Sequence, residues 1–178
     1  MKDGDLKLKL DLHTHCFEAN GVSEPTITID IVKDIVAAVK ARGLDGVAIT
    51  EHYGKAYGYK VKEMVDHYFS GEILVIPGQE VAKGSVDVVE LYLPGDVTFR
   101  FIVHPGYPCV RDLASQIDNS IHGIELRNAL HEIDESRVRE VAEKYNLLLL
   151  TNSDAHHLSN IGQYYNEIDI EELCARVR

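Results

Sequence analysis

Short apolar stretches recur along this chain, amphipathic segments separate them, and one stretch after another closes on a residue able to bind a metal. The alternating run Leu6-Lys7-Leu8-Lys9-Leu10 leads into Asp11-Leu12-His13-Thr14-His15. Side chains on a strand alternate faces, so His13 and His15 leave the strand end side by side, a chelating arrangement for a divalent ion at roughly 2.0–2.1 Å from each imidazole. Asp11, two residues earlier on the same face, could orient an imidazole or add a ligand. Val47-Ala48-Ile49-Thr50 ends in Glu51-His52, and Ile73-Leu74-Val75-Ile76 ends in Pro77-Gly78-Gln79-Glu80. Val86 to Leu93 reads as a strand closed by Pro94-Gly95, and Phe99 to Val103 ends in His104-Pro105-Gly106. Gly123-Ile124-Glu125-Leu126 ends in Arg127-Asn128, and Leu147 to Leu150 runs into Thr151-Asn152-Ser153-Asp154-Ala155-His156-His157.

Between these stretches the apolar period changes. Ile31, Val32, Ile35, Val36 and Val39 recur at helical spacing, and Gly43 stands where a C-terminal cap belongs. Tyr53 to Tyr59, with two glycines and three tyrosines, reads as a loop before a helix from about Lys60 to Phe69. Further helices are predicted near Val110 to Ile117, over Glu135 to Tyr145 with Asn146 closing it, and over Ile170 to Val177. Apolar strands alternating with amphipathic helices indicate an α/β fold with a parallel sheet buried on both faces. In a (β/α) barrel the C-terminal strand ends converge on one rim, where active sites are built. Histidines scattered through a core would not keep to strand ends.

At 178 residues the chain suits one domain with its own core. Its 18 Lys and Arg residues against 29 Asp and Glu give a net charge of −11, and the basic residues are scattered. No nucleic-acid or anionic-membrane surface is expected, and a small substrate is favoured. Cys16, Cys109 and Cys174 form no C-x-x-C pair, so a disulfide framework does not fit and a reducing cytosol is the default. The charged start Met1-Lys2-Asp3-Gly4-Asp5 precedes no apolar signal core, and no stretch approaches the ~18 uninterrupted apolar residues of a membrane span, so a cytoplasmic protein is expected.

The strand-end motifs together resemble those of the polymerase and histidinol phosphatase (PHP) domain family. Asp11-Leu12-His13-Thr14-His15, Ile49-Thr50-Glu51-His52, Pro77-Gly78-Gln79-Glu80, Val103-His104-Pro105, Gly123-Ile124-Glu125 and Ser153-Asp154-Ala155-His156 occur in that family's order and spacing, over residues 8 to 162. The resemblance implies a single PHP domain over 1–178, a distorted seven-stranded (β/α) TIM-like barrel closed by a C-terminal helix within 163–178. It also implies two or three divalent metal ions and, as in most relatives, a metal-dependent phosphoesterase activity. On it, His13, His15, Glu80 and Asp154 look like ligands of a first metal. Glu80 looks like the bridge to a second, which His104 would share, and His52 and His156 resemble ligands of a third. His13, His15, Glu80, Asp154 and His156 then form the catalytic set. Asn20 stands where the family commonly has Asp or His, and an uncharged amide is a weaker ligand. The histidine that many relatives carry between the glutamate and the His-Pro motif is absent from Val81 to Val103. Glu51 replaces a more usual Asp that supports rather than ligates.

Mixed imidazole and carboxylate ligands suit zinc, manganese or iron better than calcium. Arg127, at the presumed rim, either holds phosphate oxygens or pairs with one of the many acidic residues. His157 either protonates a leaving oxygen or is simply exposed. Tyr53, Tyr57 and Tyr59 with Lys55 face a substrate or form an interface; Cys16 reads as a small packing residue. His67, His122 and His131 lie outside the motifs. Three functions remain open: hydrolysis of a small phosphate monoester or diester such as a nucleotide or phosphorylated metabolite, a nuclease or proofreading module, and a metal-binding regulatory domain with reduced catalysis. The residues do not specify an oligomeric state.

Overall fold

A computed structural model of the chain describes residues 7–107 and 112–177. Strand β1 (Leu8–Asp11) comes first in the chain. The loop beyond it leads to α1 (Ile29–Ala41), whose first turn is capped by the Thr28 side chain accepting from the Ile31 N–H. The elements that follow are β2 (Gly46–Ile49), α2 (Lys55–Tyr68), β3 (Leu74–Lys83), β4 (Val86–Leu93), β5 (Val97–Ile102) and β6 (Gly123–Asn128). The chain continues with α3 (Glu135–Tyr145), β7 (Leu148–Asn152), β8 (Asn166–Ile168) and α4 (Ile170–Val177).

All eight strands form one mixed α/β sheet in the order β7-β6-β5-β4-β3-β2-β1-β8, rolled into a nearly closed barrel. The pairs β1–β2, β2–β3, β5–β6 and β6–β7 are parallel; β3–β4, β4–β5 and β1–β8 are antiparallel. The distorted α/β barrel is the one expected, while the parallel sheet read from the apolar runs holds for four of the seven strand pairs and not for β3–β4, β4–β5 and β1–β8. Two tight hairpins replace crossover helices between β3 and β5, and β8 adds a strand too short, at three residues, to carry a readable period.

Leu10, Leu12, Ala48, Ile76, Val89, Leu91, Phe99, Phe101 and Leu150 fill the barrel, and Leu173 of α4 joins them. Outside it, Val32, Ile35, Val36 and Val39 of α1 and Val61 and Val65 of α2 pack on Val47, Ile49 and Val75. Val138 and Ala142 of α3 cover Ile102, Ile124 and Leu126.

Strand β3 does not stop at Pro77-Gly78 but runs on to Lys83. Pro77 is the last residue paired with β2, opposite Ile49, and Gly78 is the first paired with β4, opposite Leu91. The missing proline N–H therefore falls where β3 changes partners. A Cβ on Gly78 would lie 2.7 Å from the Glu90 carbonyl, so only glycine allows β4 this close. Helix α2 begins at Lys55, five residues before the expected start, and absorbs most of the predicted tyrosine loop. Gly58 lets its first turns sit against the backbone of Pro77 and Gly78. The helix expected over Val110 to Ile117 lies partly outside the described residues. From Asp112 onward there is one 3-10 turn, Ala114–Gln116. Ser115 bonds to Asp112 through both its N–H and its hydroxyl, a local pattern that competes with helix.

The barrel is joined at two levels between its outer strands. At the rim, Thr14 bridges Ala155 and the His15 N–H donates to the Ala155 carbonyl at 2.8 Å. Lower down, the Asn166 amide accepts from the Thr151 N–H at 2.9 Å and donates to the Thr151 carbonyl and Asn152 Oδ1, both at 2.9 Å. Removing this amide leaves a strand N–H and carbonyl without partners. Asn166→Ala should therefore lower unfolding free energy by about 2–4 kcal/mol in chemical denaturation; an unchanged midpoint would show that the seam does not depend on it.

Candidate metal centre

At the C-terminal rim, His13 Nε2, His15 Nε2 and Glu80 Oε2 form a triangle with sides of 3.0, 2.9 and 2.9 Å. Asp154 Oδ1 lies 3.6 Å from both imidazole nitrogens. The other Glu80 oxygen, Oε1, faces His104 Nε2 at 3.2 Å, and Asp154 Oδ2 faces His131 Nε2 at 3.7 Å. Ligand atoms around an ion with bonds of 2.0–2.1 Å sit ~3.4 Å apart in a tetrahedral shell, which is the scale of these separations. His13, His15, Glu80, His104 and Asp154 are all buried, so the cluster is shielded from bulk water.

Among the described residues, four groups of side chains have the spacing to hold an ion: His13, Glu80 and His104; His13, His15 and Asp154; His104, His131 and Asp154; and His15, Glu18 and His52. Of the residues expected at the metals, the structure brings His13, His15, Glu80, His104 and Asp154 into one knot, with His52 and His156 at its edge. The His52 ring stacks on His15 with centroids 4.3 Å apart, and the His156 ring lies 4.9 Å from His15. The His156 Nδ1–H donates to the Asp154 carbonyl at 2.9 Å, which leaves Nε2 with its lone pair.

The supporting residues are equally specific. His13 Nδ1 faces Glu125 Oε1 at 3.3 Å, the carboxylate–imidazole contact that fixes the tautomer of a ligating histidine. Glu125 in turn accepts from the His104 N–H, from Asn128 Nδ2 and from Asn152 Nδ2. Asn128 Nδ2 also reaches Asp154 Oδ2 at 3.2 Å. His104 and Asp154 have positive φ, 29° and 52°, a backbone state costly for residues with a Cβ and typical of functional sites. His15 Nδ1 and His104 Nδ1 are buried without a hydrogen-bond partner, because both rings turn Nε2 toward Glu80. Buried carboxylates and converging Nε2 atoms fit a divalent-ion centre.

The electrostatics agree. Burial opposes charge on His13, but Asp154, Glu125 and Glu80 outweigh it and hold the imidazole well above its usual pKa range. Burial, with the neighbouring His13 and His52, pushes His15 down to about 4 despite Glu80. Glu80 is held far below the carboxylate range, since the bonds from His104, His13 and His15 overcome its burial, and Asp154 is lowered by His13 and His15 against the same penalty. Two adjacent histidines pulled in opposite directions mark a site that attracts cationic charge but has room for little of it as protons.

Several expectations are corrected. Asn20 is exposed and its amide donates to the Cys16 and His156 carbonyls at 3.1 and 3.0 Å, so it ties two loops together instead of facing the cluster. The acidic side chain beside His52 is Glu18, three residues past His15. Asp11 accepts from the Ser153 hydroxyl and N–H and from the Gly162 N–H, not from an imidazole. Strand β1 ends at Asp11. Arg127 is half-exposed and pairs with Glu135 at 2.7 Å, the ion-pair alternative. With Asn128, His131 and Tyr164 it lines a pocket of about 340 Å³. His157 is exposed and outside the four groups. His131, which had no expected role, stands beside His104 and Asp154 with the spacing to hold an ion; it follows Asn128 by three residues on the loop after β6, with no periodic signal to announce it. Glu51 supports without facing the cluster, accepting the Phe17 and Glu18 N–H groups at 2.9 and 3.1 Å.

Comparisons with known proteins come to the same fold. Residues 132–178 match the family described as PHP-associated. No curated protein matches the chain. Among solved structures, PsfC of Pseudomonas syringae superposes with a TM-score of 0.66 at 15% identity over 95% of this chain and 88% of that one. A candidate metal-dependent phosphoesterase of Bifidobacterium adolescentis superposes with a TM-score of 0.70 at 14% identity, over 93% of this chain and 96% of that one. An amidohydrolase of Chromobacterium violaceum, with bound sulfate and no metal, gives 0.65 at 14% identity over 94% and 96%. No helix among the described residues is long and apolar enough to cross a membrane.

Burial raises the Glu51 carboxyl to about 7 even though two N–H groups favour its charged form. The folded state thus binds this proton more tightly than the unfolded state does. Its stabilising contribution is complete below about pH 4.5 and is lost as pH rises to about 7. Metal-free wild type should lose up to about 3 kcal/mol relative to Glu51→Gln across that window, at about 1.4 kcal/mol per unit. A difference that does not change with pH would refute the assignment.

Proposed function

We propose that this chain, a member of the polymerase and histidinol phosphatase family by its PHP-associated segment and its fold, is a metal-dependent phosphoesterase acting on a small phosphate monoester or diester. The observation that carries the reading is the buried triangle of His13, His15 and Glu80 with Asp154 behind it, continued through the second Glu80 oxygen to His104. His13, His15, Glu80 and Asp154 would hold a first ion, Glu80 and His104 with the nearby Asp154 and His131 a second, and His52 and His156 a third. Zinc, manganese and iron suit these donors. Such ions, when bound, lower the pKa of water and neutralise charge on a phosphoryl group, the two obstacles to hydrolysing a phosphate ester.

The chain's own residues prepare that chemistry. Glu80 presents one oxygen to the His13 and His15 pair and the other to His104, so one rigid carboxylate sets the spacing between neighbouring positions. Glu125 holds His13 in the tautomer that leaves Nε2 unprotonated, and the Asp154 carbonyl does the same for His156. Asn128, bonded to both Glu125 and Asp154, stops either carboxylate from turning away. Arg127 would have to leave Glu135 to meet a phosphate, a modest cost for an exposed ion pair. A net charge of −11 favours a compact substrate over a polyanion such as nucleic acid.

Purified protein loaded with manganese or zinc should hydrolyse p-nitrophenyl phosphate or bis(p-nitrophenyl) phosphate. Asp154→Ala and His15→Ala should each lower turnover by at least about a hundredfold and reduce bound metal together with it, the fold persisting because sheet and helices supply the core. Bound metal without turnover of either ester would sink the phosphoesterase reading. Full metal content in either variant would sink the ligand assignment.

A further inference from the structure

Glu18 lies outside every strand-end motif, yet one of its oxygens makes an unusual pair of contacts. Oε2 accepts the backbone N–H of His52 at 3.1 Å and lies 3.1 Å from Nδ1 of the same residue. A carboxylate oxygen cannot donate, so this geometry requires the proton on Nδ1, and the His52 lone pair is left on Nε2. Nε2 is the ring atom that faces the cluster, 3.9 Å from Glu80 Oε2. Glu18 is itself anchored: it opens the 3-10 turn Glu18–Asn20, and its N–H donates to Glu51 Oε2 at 3.1 Å. Asn20, two residues on, has its amide committed to two backbone carbonyls.

We infer that Glu18 is the positioning residue of the outermost metal position, holding His52 in the Nε2-ligating tautomer and supplying there the negative charge that Asn20 lacks. The inference rests on the metal centre proposed above but not on its catalysing any reaction. A carboxylate behind a ligating imidazole raises its basicity and fixes its orientation, and losing such a partner typically costs about 10–100-fold in metal affinity. His52 needs this help more than its neighbours do. It is half-exposed, whereas His13 and His15 are fully buried. The fourth cation-spaced group, His15, Glu18 and His52, contains this pair and is the most open of the four.

The test uses full-length protein and does not depend on turnover. In metal-free wild type at alkaline pH, nitrogen-15 correlation spectra should show His52 protonated at Nδ1 and bare at Nε2, with Glu18→Ala shifting the tautomer toward Nε2–H. Manganese and zinc titrations should find one ion abolished by His52→Ala. Its affinity should fall about 10–100-fold in Glu18→Ala and recover substantially in Glu18→Gln, whose carbonyl can still accept from Nδ1–H, while the tighter ions are unaffected. An Nε2–H tautomer in wild type would overturn the inference, and this measurement stands even if Glu18→Ala fails to fold. Outer-ion affinity within twofold of wild type in Glu18→Ala would overturn it too, as would the absence of any ion sensitive to His52→Ala. Failure of ester hydrolysis alone would count against the phosphoesterase reading and leave this one intact.

Discussion

One buried carboxylate organises the rim. Glu80 receives His13 and His15 on one oxygen and His104 on the other, and it stays ionised because these three contacts outweigh the cost of burying its charge. An isolated carboxylate at that depth would take up a proton, and three imidazoles crowded together without it would repel one another once charged. Each part is therefore tolerable only in the presence of the others. The backbone serves the same end: β3 reaches Glu80 because Pro77 sits where partner strands change and Gly78 admits the close approach of β4.

Behind Glu80 lies a network with little slack. Glu125 connects the His13 ring, the His104 backbone and the amides of Asn128 and Asn152, and Asn128 carries the connection on to Asp154. These groups come from β6, β7 and the ends of β1 and β5, so four strands agree on the position of one histidine. The positive φ angles of His104 and Asp154 show backbone held away from its preferred states by this agreement.

Much of this could be read from the residues. The helices Glu135–Tyr145 and Ile170–Val177 and the strand Val86–Leu93 fall where their periods put them, and the strand-end histidines and acids do converge. Three kinds of information were not legible. Strand direction is one: an apolar run such as Val97–Ile102 has the same pattern in a parallel or an antiparallel pair, so the hairpins between β3 and β5 leave no trace in periodicity. The partner of a buried side chain is another: Asp11 meets the distant Ser153 and Gly162 instead of an imidazole. The third is loop geometry: Glu18 and His131 reach the centre by turns of the chain, while Asn20, at the more suggestive position, is held off by two carbonyls.

The bridge between Thr14 and Ala155 has a consequence for how the molecule forms. It joins residues near opposite ends of the chain, so its closure carries the loop-entropy cost of nearly the whole domain and belongs to the slow, non-local part of folding. During synthesis from the N-terminus, His13, His15, His52 and Glu80 emerge before Asp154 and His156, and until these follow the cluster is incomplete. A divalent ion that needs the full set would therefore stabilise only the closed barrel. Joining the ends of β1 and β7 at the rim thus ties completion of the cluster to closure of the barrel.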